Sequence, residues 1–148
     1  MEKTFIRVRS IKDLVIFTSL AIVGIILTVL PVGDAAHIAG FFMIFTAAIL
    51  AFVLKSAYKD VEKNEKYLKM ERYFQQAMHA EISAAIASNP DSIDLSEEDK
   101  GNALRLDIYY SKASGKAYIQ LFEYVPYTYQ PCSKMYEYEI SKVGKLIK

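Results

Sequence analysis

Residues 14–54 read LVIFTSLAIVGIILTVLPVGDAAHIAGFFMIFTAAILAFVL, and the organisation of the chain follows from this stretch. No side chain from Leu14 to Val32 is charged. Asp34 follows, and Ala35 to Leu54 is again free of charge. A bilayer core of about 30 Å takes about 20 apolar residues at ~1.5 Å each, and both runs meet that length. Thr18, Ser19, Thr28 and Thr46 are mild exceptions, because a helical hydroxyl can bond back to its own backbone. His37 stands at the entry of the second run. A signal peptide has a shorter apolar stretch followed by a small-residue cleavage site. A chain of 148 residues also has too little protein to surround two such helices as soluble core. The stretch therefore reads as a two-helix transmembrane hairpin, with spans at 14–32 and 35–54.

The flanks orient it. Lys3, Arg7, Arg9 and Lys12 precede the first run, and Lys55, Lys59, Lys63, Lys66 and Lys69 follow the second. The connection Pro31-Val32-Gly33-Asp34 has neither Lys nor Arg. Positive residues stay in the cytosol, so both termini are expected there. Cys132, the single cysteine, then lies in a reducing compartment where no disulfide forms.

Residues 1–13 form a basic cytosolic lead-in. Phe5, Ile6, Val8 and Ile11 alternate with cations, as in a segment lying on anionic headgroups, or else they form a free tail that serves topology alone. From Lys55 to Ser88 there is no Pro or Gly, and Glu62–Lys66 and Glu65–Lys69 are favourable helical pairs. With apolar residues recurring from Tyr67 to Ile86, this predicts a long cytosolic stalk helix ended by Asn89-Pro90-Asp91. Beyond residue 102 the period becomes two. Leu104–Tyr110 and Ala117–Val125 read as an antiparallel pair turning at Ser114-Gly115, with Tyr110 opposite Ile119 and Ile108 opposite Leu121. Glu123 opposite Leu106 is the flaw in that register. Met135–Ile140 predicts a third strand and Val143–Ile147 a fourth. The fold class is an α+β membrane protein, in which residues 55–148 carry the stalk helix and a small antiparallel β-sheet domain.

The net charge of +1 argues against a duplex nucleic-acid binder. No catalytic constellation emerges. His79 and Glu81 lack the zinc-protease spacing, there is no cysteine pair, and no glycine-rich loop opens a helix. The chain reads as non-enzymatic, without metal or cofactor. Its unusual feature is tyrosine: Tyr109, Tyr110, Tyr118, Tyr124, Tyr127, Tyr129, Tyr136 and Tyr138 crowd one segment. Cross-strand packing explains Tyr110 on the core face. The opposite face would show Arg105, Tyr109, Tyr118, Gln120, Phe122 and Tyr124, too apolar a surface for plain solvent. A second copy of the chain suits it, since Tyr and Arg favour interfaces. So does a ligand whose flat rings stack on tyrosines while Arg105, Lys112, Lys116 or Lys134 meet phosphates. The candidate ligand-binding set is Arg105, Tyr109, Lys112, Lys116, Tyr118, Gln120, Tyr124 and Lys134.

The hairpin Leu14–Leu54 with its short loop, the stalk from Lys55 and the β-rich end Leu104–Ile147 together resemble the two-pass membrane effectors that work beside type III CRISPR systems. The similarity is one of plan along the full length, without a shared motif. It implies a homo-oligomer, a tetramer, in the bacterial inner membrane. It also implies a cyclic nucleotide second messenger, cyclic tetra-adenylate, as ligand, and membrane disruption in antiphage defence as output. Gly24 and Gly40 with Ala21, Ala36, Ala39, Ala47 and Ala48 would allow close helix contact. A membrane-anchored adaptor for a protein partner and a holin-like lysis protein are the alternatives.

Overall fold

A computed structural model describes residues 3–148. These form two compact units. One is Arg7–Ala57. The other joins the described residues up to Ile6 with Tyr58–Lys148.

The first unit is a helical hairpin, α1 (Ile11–Val29) and α2 (Asp34–Val53), and both helices are long and apolar enough to cross a membrane. Little of either is covered by its own chain. The apolar residues that are buried are small: Gly24 on α1, and Gly40 and Ala47 on α2. A methyl group at Gly40 would lie 2.6 Å from the Gly24 carbonyl oxygen, and one at Gly24 would lie 2.8 Å from that of Gly40. The backbones touch there because neither residue has a side chain. Ala39 and Ala48 face outward instead. Thr28 returns its hydroxyl to the Gly24 and Ile25 carbonyls at 3.1 and 2.8 Å, as its position in an apolar helix requires. His37 Nε2 donates to the Leu30 carbonyl at 2.8 Å, which satisfies an open acceptor at the end of α1.

The open end of the hairpin is held by polar groups. Ser10 and Asp13 form a reciprocal capping box on α1. The same Asp13 carboxylate accepts the Ser56 N–H and the Ser56 hydroxyl, each at 2.7 Å, and only 2% of its surface is exposed. Arg7 donates twice to the Lys55 carbonyl, and Arg9 donates to that of Ala51.

In the second unit the strand order is β1 (Phe5–Val8), β2 (Ala57–Asp60), β3 (Lys66–Phe74), β4 (Leu104–Ser111), β5 (Lys116–Val125) and β6 (Thr128–Pro131), and β7 (Tyr136–Glu139) also pairs with β5. α3 (His79–Ser88) covers one face. Phe74, Leu104, Leu106, Ile108, Ala117, Ile119 and Leu121 meet Ile82 and Ile86 of α3 and the C-terminal Val143 and Leu146 in one core. The fold is α+β.

The long stalk helix is absent, and residues 57–74 are a β-hairpin. Asp60 accepts the Glu62 N–H at 3.0 Å, and Asn64 takes a left-handed conformation at φ 62°, so the chain turns back at once. β3 then pairs along its length with β4, from Leu68 opposite Tyr110 to Phe74 opposite Leu104. The expected helical pairs would each be worth only about 0.2–0.5 kcal/mol. Burial of Tyr67 and Phe74 on opposite faces of a strand outweighs them. The helix-forming composition is a weak prior that tertiary pairing overrides.

Other expectations are corrected too. Within the lead-in, residues 5–8 are not a free tail but the strand β1. The β4–β5 register is shifted by two residues from the expected one, with Tyr110 opposite Ala117 and Ile108 opposite Ile119. Its loop has four residues, closed by Gly115 (φ 70°) donating to the Ser111 carbonyl. An even shift leaves every side chain on its expected face. Residues 140–143 are a 3-10 turn and not part of a fourth strand, because Val143 and Leu146 are drawn into the core. β6 is a strand that the sequence pattern does not announce. It and β7 share one edge of β5, and Ser133 bridges the gap between them by accepting the Leu121 N–H at 2.9 Å.

The glycine seam is open to test. Gly40→Val should destabilise the hairpin by about 1–3 kcal/mol, the usual cost of forcing atoms into a filled contact. The temperature at which the detergent-solubilised chain loses helicity should fall accordingly. Phe52→Ala, on an outward side chain, should leave it unchanged.

Candidate functional site

The sheet face away from α3 carries Tyr67, Lys69, Glu71 and Tyr73 from β3, Arg105, Asp107 and Tyr109 from β4, and Lys116, Tyr118, Gln120, Phe122 and Tyr124 from β5, as strand alternation requires. The structure thus puts the expected β4 and β5 residues on one face. It does not leave that face open. Phe5 stacks flat on Tyr109, with ring centroids 4.2 Å apart and an interplanar angle of 5°, and meets Tyr67 edge-on. Tyr118 is 3% exposed and Gln120 6%. The sequence could not show this cover, because Phe5 lies far from the sheet along the chain.

Lys3 holds the cover in place. Its ammonium donates to Asp60 at 2.9 Å and lies over the Tyr118 ring. The hydrogen bond to Asp60 raises the lysine pKa above its ordinary value. Burial works to raise the Asp60 carboxyl, but hydrogen bonds from Lys3 and the Glu62 N–H outweigh it and leave the carboxyl below its ordinary range.

At the centre is Asp107, 2% exposed. Arg105 grips it side-on, Nε and Nη2 donating to its two carboxylate oxygens at 2.8 and 3.1 Å, and Lys69 lies 3.4 Å away. Lys69 also pairs with Glu71 at 2.8 Å. Burial works to lower the Lys69 pKa, but Glu71 and Asp107 hold it above the ordinary lysine range. Among the expected phosphate ligands, Arg105 and Lys116 are therefore already engaged, the latter with Glu137 at 2.7 Å. Lys112 and Lys134 are exposed elsewhere, in the β4–β5 turn and before β7. The eight residues do not converge on one pocket.

The aromatic surface that stays open is at the rim. Tyr73, Tyr129 and Tyr124 form a row of edge-on rings, and Arg105 lies over both Tyr129 and Phe122. Tyr124 is 52% exposed. A shallow cleft of about 610 Å³ opens here, lined by Lys100, Gly101, Asn102, Ala103, Tyr124 and Tyr129. At its edge, Pro126 and Tyr127 turn β5 into β6. Tyr127 has φ 74°, its N–H donates to the Tyr124 hydroxyl at 3.2 Å, and its side chain is 98% exposed. Position i+2 of such a turn suits glycine. A tyrosine there carries strain and still gains no cover from the rest of the chain. A second cleft of about 640 Å³, by Arg72, Lys145 and Lys148, is less suited to a ligand because Arg72 is already bound to Glu98 and to backbone carbonyls.

Tyr124 belongs to the expected set. Lys100, Tyr73, Tyr127 and Tyr129 do not, although Tyr127 and Tyr129 are part of the tyrosine run that marks the region. No family of known proteins matches this chain, nor does a curated protein or a solved structure.

Two outcomes are expected. Asp60 contributes stability above the unfolded carboxylate pKa of about 4 that is lost as pH falls through its lower folded value. Amide exchange at Phe5 and Ile6 should accelerate below that pH, and Asp60→Asn should accelerate it at neutral pH. Tyr127→Gly should relieve strain and stabilise the domain by about 1 kcal/mol, read as a raised thermal midpoint.

Proposed function

We propose that this chain is a two-span membrane effector whose cytosolic β-domain binds a cyclic oligoadenylate and relays that binding to its helical hairpin. It acts by binding, not by catalysis, and resides in the bacterial inner membrane with both termini in the cytosol. The observation that carries this reading is the tyrosine rim. Tyr124 and Tyr127 are exposed, and Tyr124 lines the cleft beside Lys100 and the half-buried Tyr129. Adenine stacks on such rings at about 1–3 kcal/mol per base, and a lysine meets phosphate.

The cleft of one chain is commensurate with one nucleotide of a ring and not with the whole ring. A cyclic tetra-adenylate would then be held by several copies together, which fits a tetramer with one base per rim. Assembly around the ring would gather the hairpins. Their outward faces carry Phe41, Phe42, Phe45 and Phe52, apolar surface suited to lipid or to a neighbouring hairpin. Neither helix has a charged residue between Leu14 and Val29 or between Ala35 and Val53, so disruption of the bilayer fits better than selective ion passage.

A protein partner is the second reading. A fully exposed tyrosine at a hairpin tip suits an interface anchor as well as a stacking platform.

The full chain in nanodiscs, titrated with cyclic tri-, tetra- and hexa-adenylate, separates them. The expected result is saturable binding of cyclic tetra-adenylate, weakened at least tenfold by Tyr124→Ala and Tyr127→Ala, with dye release from liposomes that carry the chain. Absence of binding by every ring size would refute the effector reading.

A further inference from the structure

Glu123 continues the apolar row Ala117, Ile119 and Leu121 on β5, and lies opposite Leu104 on β4. A carboxylate in that row calls for a partner. Two other donors approach it. His79 opens α3, and Cys132 follows β6. The imidazole, carboxylate and thiol ligand atoms lie within 4.8 Å of one another, and all three residues are half-buried. Among the described residues, neither the His79 imidazole nor the Glu123 carboxylate has a hydrogen bond or ion pair. The Cys132 thiol has one long contact, 3.5 Å to the Leu121 carbonyl. A thiol and a carboxylate thus lie together beside an imidazole.

We propose that His79, Glu123 and Cys132 form a binding site for one divalent transition-metal ion, with zinc the best match. Nitrogen, oxygen and sulfur donors in one set suit this borderline-soft ion, and three protein ligands leave a fourth tetrahedral position for water. In such a site, neighbouring donors are about 3.3–3.5 Å apart, given metal–ligand bonds of ~2.0–2.3 Å. The three side chains need to close by roughly 1 Å, which rotation of half-buried side chains supplies. On binding, the Cys132 S–H bond breaks, the sulfur–metal bond forms and the proton leaves to solvent. An imidazole nitrogen of His79 and a carboxylate oxygen of Glu123 supply the other two donor atoms. The ion would tie the start of α3 to the strand end that carries Tyr124. The site needs no second copy and no nucleotide, so it stands or falls apart from the function proposed above.

The test titrates cobalt(II), as a spectroscopic stand-in for zinc, into the full chain purified in detergent. The expected result is one cobalt per chain, with thiolate-to-cobalt charge-transfer absorption, tetrahedral visible bands, release of one proton and displacement by zinc. Cys132→Ser should abolish the charge-transfer absorption. Glu123→Gln and His79→Gln should each weaken binding at least tenfold while circular dichroism stays unchanged, which keeps the test intact if the cysteine variant fails to fold. Absence of the thiolate band in the unaltered chain would overturn the proposal. So would equal affinity in the folded Glu123→Gln and His79→Gln variants.

Discussion

The β-domain is organised around the carboxylate of Asp107. A buried charge is costly unless its partners are close and well oriented. Here two cations answer it, and each has a second task. Arg105 grips Asp107 and covers Phe122 and Tyr129, while Lys69 leans on the Tyr58 and Tyr109 rings. One carboxylate therefore fixes the positions of aromatic rings from β2, β4, β5 and β6. Without it, two cations would lose their shared anion among those rings. The rim tyrosines owe their placement to this centre as much as to their own strands.

The hairpin was legible in the sequence because length and the absence of charge are sufficient signals for such helices. Its seam was partly legible. Gly24, Gly40 and Ala47 were among the small residues expected to permit close contact, but composition could not tell them from the outward Ala39 and Ala48. The parity of β4 and β5 was legible too, since alternation of Leu104, Leu106 and Ile108 with Arg105 and Asp107 survives an even shift in register. What failed was the segment from Lys55 to Phe74. Its composition favours a helix, and the strand pairing that decided otherwise comes from residues 104–110. A local reading had no access to that pairing.

The candidate site shows the same division. Arg105, Tyr109 and Tyr118 were placed on the right face for the right reason, but that face is closed by Phe5 and Lys3, which approach from the far end of the chain. The strained turn at Tyr127 was invisible because Pro-Tyr is an ordinary pair of letters until the backbone angle is known. The same holds for Glu123, an awkward residue in the expected register whose neighbour His79 lies more than 40 residues away along the chain but adjacent in the fold.

The β-domain is interrupted. Residues 3–6 precede α1, Tyr58–Lys148 follow α2, and both belong to one compact unit. The helices are therefore inserted into a domain, between its first strand and the rest of its sheet. A nascent chain must complete both helices before Phe5 and Lys3 can find Tyr109 and Asp60. Until then the aromatic face of Tyr67, Tyr109 and Tyr118 lacks its cover.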